Sequence, residues 1–130
     1  MASIFTRIIN REIPGYIVAE NEHALAFLDI NPLNEGHTLV VPKQEVDKLF
    51  DLDEEAYLNL QAFAYKVAKA IEAAVPCLRV GVAVIGLEVP HAHIHLIPLN
   101  GMQDIDFSRP KLKLSPTQFE AIAEKIKAAY

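Results

Sequence analysis

Apolar positions along this chain follow two periods, and the change from one to the other separates strands from helices. Gly15 to Glu20 and Ala24 to Asp29 are short, largely apolar runs on either side of the polar turn Asn21-Glu22-His23, which predicts a hairpin. The turn-forming stretch Asn31-Pro32-Leu33-Asn34-Glu35-Gly36 leads into a third strand, His37 to Val41, stopped by Pro42. Between Asp51 and Ala74 the period lengthens. Leu60, Phe63, Val67, Ile71 and Ala74 fall on one face of a helix, and Asp51 with Glu54 three positions later supplies reciprocal capping. Beyond Pro76, the β-branched run Leu78 to Ile85 reads as a strand, and so does His91 to Ile97 before Pro98. A loose segment, Asn100 to Lys113, precedes Ser115-Pro116-Thr117-Gln118. This tetrapeptide combines a cap, a first-turn proline and a box partner ahead of Phe119, Ile122, Ala123 and Ile126 on one helical face.

About five strands with a long central helix and a C-terminal helix predict an α+β fold, a mainly antiparallel sheet with helices on one face. The early strands lack the helix-length connections that parallel pairing needs. A length of 130 residues fits one domain, residues 1–130, with 100–130 as a C-terminal extension ending in a helix. An apolar share of 52% supplies a real core and argues against disorder. The formal charge of −5 excludes a broad basic face for a DNA or RNA duplex. Cys77 is the single cysteine and has no internal disulfide partner, so a cytoplasmic protein is expected. Neither the first ten residues nor any later stretch has the apolar length of an export signal or a membrane span.

Three of the five histidines fall within five residues. On a strand, His91, His93 and His95 share one face with Ile97, while Ala92, Ile94 and Leu96 point into a core. One reading is a solvated edge strand, although Lys, Thr or Glu would serve that purpose equally well. A metal site is another. The outer two histidines lie roughly 13 Å apart along a strand, too far to share one ion, but two of the row with His37 could hold one, backed by Asp29 or Glu88. Phosphate chemistry suits the row better. A neutral imidazole is nucleophilic near pH 7, and its neighbours can donate to phosphoryl oxygens. His93, with a neighbour on each side, is then the best placed for in-line attack.

HAHIHLIP, residues 91–98, resembles the signature of the histidine-triad (HIT) family, and AFLDINPLNEGHTLVVPK, residues 26–43, resembles that family's nucleotide-side segment. With the opening IFTRIINREIPGYIVAE, the resemblance runs from Ile4 to about Leu99, in the family's order and closest to its Hint-like branch. It implies a HIT-like fold and a nucleotide hydrolase or nucleotidyltransferase that cleaves a phosphoramidate or phosphoanhydride at the α-phosphorus. On that pattern His93 is the nucleophile that becomes nucleotidylated, the His91 carbonyl orients it, and His95 and His37 contact phosphoryl oxygens. Asp29 matches the acid that binds the ribose hydroxyls, and Phe27 and Ile30 match positions lining the base pocket. The implied partner is a purine nucleotide or nucleotide conjugate, with no cofactor. The implied assembly is a homodimer joined through the long helix and adjoining strands. A nucleotide-binding regulatory or scaffold domain with little turnover stands as the alternative, followed by a His-ligated metal hydrolase.

The chain departs from the family in three places. Glu88 stands where a hydroxyl residue that assists the leaving group is common, and it brings negative charge towards the triad. The stretch Leu78 to Gly86 is shorter than usual and lacks the typical Asn. Ser3 and Thr6 occupy the positions of a paired-cysteine zinc site found in some bacterial relatives, so no structural zinc of that kind is expected.

Overall fold

The computed structural model describes residues 2–130; Met1, inside the expected 1–130 unit, lies outside the described residues. Eight elements follow one another: α1 (Ile4–Ile9), β1 (Ile17–Glu20), β2 (Ala24–Leu28), β3 (Thr38–Pro42), α2 (Glu54–Ala74), β4 (Arg79–Ala83), β5 (Ile94–Leu99) and α3 (Pro116–Ala129). Short 3-10 turns occupy Leu49–Asp51 and Met102–Ile105. The strands form one antiparallel sheet in the order β1-β2-β3-β5-β4, as the short early connections require.

Register decides which residues share a face. Phe27 pairs with Leu39, Leu39 with His95, and His95 with Ala83, so a row crosses four strands on one side of the sheet. Ala26, Val40 and Ile94 form the next row, pointing the opposite way. That second side carries the main core, where Ala26, Leu28, Val40, Ile94 and Leu96 pack with Leu60, Phe63, Val67 and Ile71 of α2 and Phe119, Ala123 and Ile126 of α3. The first side is covered by α1: Phe5 and Ile8 pack on Leu25, Phe27, Leu39 and Val41. Helices therefore lie on both sides, where the sequence predicted one. No helix among the described residues is long and apolar enough to cross a membrane.

The expected elements are present with shifted ends. β5 starts at Ile94 rather than His91, because the ladder to β3 begins at the Val40–Ile94 pair. It also runs through Pro98, whose missing N–H costs the ladder one donor. β4 is confined to Arg79–Ala83, the stretch that pairs with β5, and Val84 to Pro90 continues as a loop. The central helix starts at Glu54, and its cap is Asp53, whose side chain accepts the Ala56 N–H at 2.8 Å; Asp51 belongs to the preceding 3-10 turn. At α3 the expected box forms reciprocally, with Ser115 Oγ accepting from the Gln118 N–H and Gln118 Oε1 accepting from the Ser115 N–H. Gly36, at φ 93°, turns the chain into β3, and a Cβ there would meet Val75 and Pro98 at 3.0 and 3.2 Å.

The two aspartates before α2 are separable by mutation. Asp53→Ala should lower stability by about 1 kcal/mol, read as a reduced urea midpoint at unchanged m-value, whereas Asp51→Ala should leave the midpoint nearly unmoved.

Candidate active site

The three histidines of HAHIHLIP are brought together with His37, and main-chain groups fix where each ring carries its proton. His91 is fully buried behind the cavity. Its Nε2 lies 2.9 Å from the Pro42 carbonyl, which can only accept, so the proton is on Nε2 and Nδ1 is bare. That bare Nδ1 accepts from the Ser3 hydroxyl at 2.7 Å. His93 Nδ1 lies 2.7 Å from the His91 carbonyl, so it carries the proton, and the lone pair is left on Nε2.

The second pair is ordered from the loop between β2 and β3. The Leu33 N–H donates to His37 Nδ1 at 3.0 Å, which places the His37 proton on Nε2. His37 Nε2 donates in turn to His95 Nδ1 at 3.0 Å, leaving His95 with a free Nε2–H donor. Burial is the main reason both rings stay uncharged: it pushes His37 down to about 3, helped by the charges of His95 and Lys111, and His95 down to about 4, helped by His93. Burial also lowers His91, against the opposing pull of the Pro42 carbonyl and Glu45. With His37 and His95 uncharged, the free Nε2–H of His95 stands beside His93.

A cavity of about 450 Å³ opens onto His93, His95 and His37. Phe27, Asp29, Ile30 and Glu88 all line it, with Phe27 buried and Ile30 and Glu88 exposed. Asp29 ends β2; its Oδ1 accepts the Asn31 N–H at 2.8 Å and its Oδ2 lies 3.6 Å from His37 Nε2. Burial pushes its carboxyl above the usual range, partly offset by the Asn31 N–H and by His93 and Lys111. The loop Val84 to Pro90 contributes Ile85 to Val89 as one wall. A separate hollow of about 340 Å³ beside Lys43 and the start of α2 contains none of these groups, and Lys43 pairs with Glu20 at 2.8 Å.

Several residues of the site have no periodic signal in the sequence. Phe5 of α1 sets its ring edge against His93, His91 and Phe27, with centroids 5.0, 5.7 and 5.5 Å apart. Phe107 packs edge-on to His95 at 4.9 Å and to His37 at 6.2 Å, and Lys111 lines the same cavity. The 100–113 segment thus reaches the active site of its own chain. The apolar spacing Phe5 to Ile8 is a faint trace of α1; an aromatic and a lysine in a proline-containing loop offer none.

Two side-chain clusters bear on metal binding. Glu45 Oε1 accepts from the Ser3 N–H at 2.7 Å and from the Thr6 hydroxyl at 2.6 Å, and Thr6 Oγ1 lies 3.4 Å from His91 Nδ1. Two neutral hydroxyls, one carboxylate and one imidazole already hydrogen-bonded at both nitrogens make a poor zinc set. Asp29, His37 and His95 place donor atoms within 4.8 Å of one another, a better set by chemistry, although the His37 and His95 nitrogens there point at each other across a shared proton.

His37 and His95 bind their protons more weakly in the fold than in the unfolded chain, where His titrates near 6.5. Their contribution to stability is complete above about pH 6.5 and is lost as pH falls towards 4 and then 3. Denaturant midpoints should therefore drop on acidification from pH 6.5 to 4.5. Each such proton adds a slope of about 1.4 kcal/mol per pH unit, and His95→Asn should show a shallower slope than the wild type.

The family profile described as HIT domain matches residues 10–102. The adenosine 5′-monophosphoramidase hnt1 of Schizosaccharomyces pombe is 34% identical over 128 residues, covering 97% of this chain and 96% of its own. Among solved structures, a HIT-like protein from Bartonella henselae superposes with a TM-score of 0.84 at 32% identity, over 98% of this chain and 96% of that one. A zinc-bound histidine triad family protein from Mycobacterium smegmatis superposes with a TM-score of 0.81 at 26% identity, over 99% and 93%. With the profile spanning both the nucleotide-side segment and the triad, and the fold matched from end to end, this chain belongs to the HIT family.

Proposed function

We propose that this protein cleaves a phosphoramidate or phosphoanhydride of a purine nucleotide at the α-phosphorus through a nucleotidyl-His93 intermediate. The observation that carries this reading is the 2.7 Å hydrogen bond from His93 Nδ1 to the His91 carbonyl, which leaves Nε2 as a bare lone pair facing the cavity. In the first step the Nε2–P bond forms as the bond from phosphorus to the leaving nitrogen or oxygen breaks. The leaving atom departs with the electron pair and is protonated from solvent. The imidazolium that results keeps its Nδ1 proton against the His91 carbonyl. Water then attacks phosphorus and gives up a proton to solvent as the P–Nε2 bond breaks with its electron pair returning to Nε2, releasing a nucleoside monophosphate and neutral His93. Neutral His95 supplies its Nε2–H to a phosphoryl oxygen, with His37 behind it.

Asp29 accepts hydrogen bonds from ribose hydroxyls, and Phe27 and Ile30 form the apolar bed for a base. Glu88 stands on the rim, where its charge disfavours anionic leaving groups relative to a neutral amine. The phosphoramidase named above, related over nearly the full length, supports a phosphoramidate as substrate. In the metal-hydrolase reading, the cluster of Asp29, His37 and His95 would bind an ion, and chelators would then abolish turnover. The cytoplasm is the setting in keeping with the lone unpaired Cys77.

We further propose that residues 1–130 act as one unit that works as a homodimer. α3 shares the core with α2 and the sheet, which supports the single unit. β4 is an edge strand, and Val82 on it and Leu58 and Tyr65 on α2 are 60, 56 and 67% exposed, an apolar face of the kind that a second subunit covers.

Incubation with adenosine phosphoramidate, acid quench and mass measurement should show one adenylyl group on the peptide containing His93. His93→Ala should lose turnover by at least about a thousandfold while remaining folded. Binding of AMP with no turnover of any phosphoramidate or dinucleoside polyphosphate would instead establish the scaffold reading. In sedimentation velocity the wild type should run as a dimer, and Leu58→Glu combined with Val82→Glu should convert it to a folded monomer.

A further inference from the structure

The segment between β5 and α3 is pinned rather than loose. Asp104 Oδ2 accepts the N–H groups of Asn100 and Gly101 at 2.7 and 3.1 Å, and Arg109 Nη1 donates to Asp104 Oδ1 at 3.3 Å. Arg109 Nη2 donates to the Leu33 carbonyl, and the Leu112 N–H donates to the Pro32 carbonyl at 2.8 Å. These bonds strap residues 100–113 to the loop whose Leu33 N–H sets the His37 proton. Lys111 is half-buried along the cavity wall, its Nζ donating to the carbonyls of Phe107 and Arg109. An ammonium has three donors, so one remains.

Charge inside the cavity gives that remaining donor a purpose. Among the described residues that line the cavity, Lys111 is the only Lys or Arg, against the carboxylates of Asp29 and Glu88. The buried His95 offers its one free N–H without charge at neutral pH, and the single N–H of neutral His37 is already given to His95. An incoming nucleotide phosphate would therefore meet two like charges with nothing to offset them except the ammonium of the strap. We propose that Lys111 is a specificity-determining residue that recognises the nucleotide's phosphoryl group and makes the cavity prefer a phosphorylated nucleoside to an uncharged one. This rests on the reading of the site as one for a nucleotidyl phosphorus. Lys111 lines the same cavity as Asp29 and His37, the residues read here as facing ribose and phosphate. Lys111 and Phe107 enter from the same strap, so one segment supplies both the charge and an aromatic wall against His95.

Calorimetry with AMP and adenosine at low and high salt tests this on the wild type, Lys111→Met, Lys111→Gln and Lys111→Arg. Gln keeps an N–H donor for the strap carbonyls but removes the charge. Met and Gln should each weaken AMP binding by about tenfold, the loss of one charge-assisted contact, and should flatten its salt dependence. Adenosine affinity should stay within about twofold, and Arg should retain most of the AMP affinity. Unchanged AMP binding in both neutral variants overturns the proposal. So does an equal loss for AMP and adenosine, which would make Lys111 only a pin for the strap. A wild type that binds neither ligand overturns the nucleotide reading itself and this inference with it.

Discussion

The hydrogen bond from His93 Nδ1 to the His91 carbonyl is the constraint around which the site is arranged, because it decides which nitrogen of His93 is free. It requires His91 to lie outside the ladder, so that its carbonyl is left for a side chain. β5 supplies this by starting at Ile94, one residue beyond His93. The His91 ring is then held at both nitrogens, by the Pro42 carbonyl at the end of β3 and by Ser3 at the cap of α1. Two elements distant in sequence thus converge on one peptide unit. Burial of these groups makes departures costly, since an unpaired ring nitrogen in this environment would cost about 1–3 kcal/mol.

Electrostatics within the cavity run against the character of the whole chain. An acidic protein with a formal charge of −5 would repel a phosphate at long range, but screening in physiological salt limits that field to about 8 Å. What a bound phosphate experiences is set by the groups that touch the cavity. There burial keeps His37 and His95 neutral, so that His37 donates to His95 and His95 keeps one N–H for the cavity. A neutral His95 can also accept the His37 N–H at Nδ1, which a charged ring cannot.

Much of this was legible in the amino-acid sequence because it depends on period and spacing. The alternation from His91 to Ile97 sorts core from chemistry correctly: Ala92, Ile94 and Leu96 join the core shared with α2, and His95 joins the row of Phe27 and Leu39. The beginning of the strand was not legible, because side-chain alternation continues in extended chain that has no ladder partner. Asp51 and Asp53 both offer a carboxylate before the same helix, and only the actual 3-10 turn at Leu49–Asp51 assigns the cap to Asp53. α1 has six residues, too few for a convincing period, yet its Ser3 and Phe5 touch the triad. Phe107 and Lys111 reach the cavity by a path set by Arg109, Asp104 and Leu112, and no local pattern records such a path.

The assignment of protons to rings begins at Leu33, Pro42 and His91 with main-chain groups rather than side chains. Every residue except proline brings the same amide N–H, and every residue brings the same carbonyl. Leu33 can therefore change its side chain without altering which nitrogen of His37 is protonated, and through it His95. Proline at that position is the exception, since it would erase the signal at its source. The reactive form of the site is consequently buffered against most mutational drift around it, and the surrounding pocket can be reshaped for a new substrate without rebuilding the nucleophile.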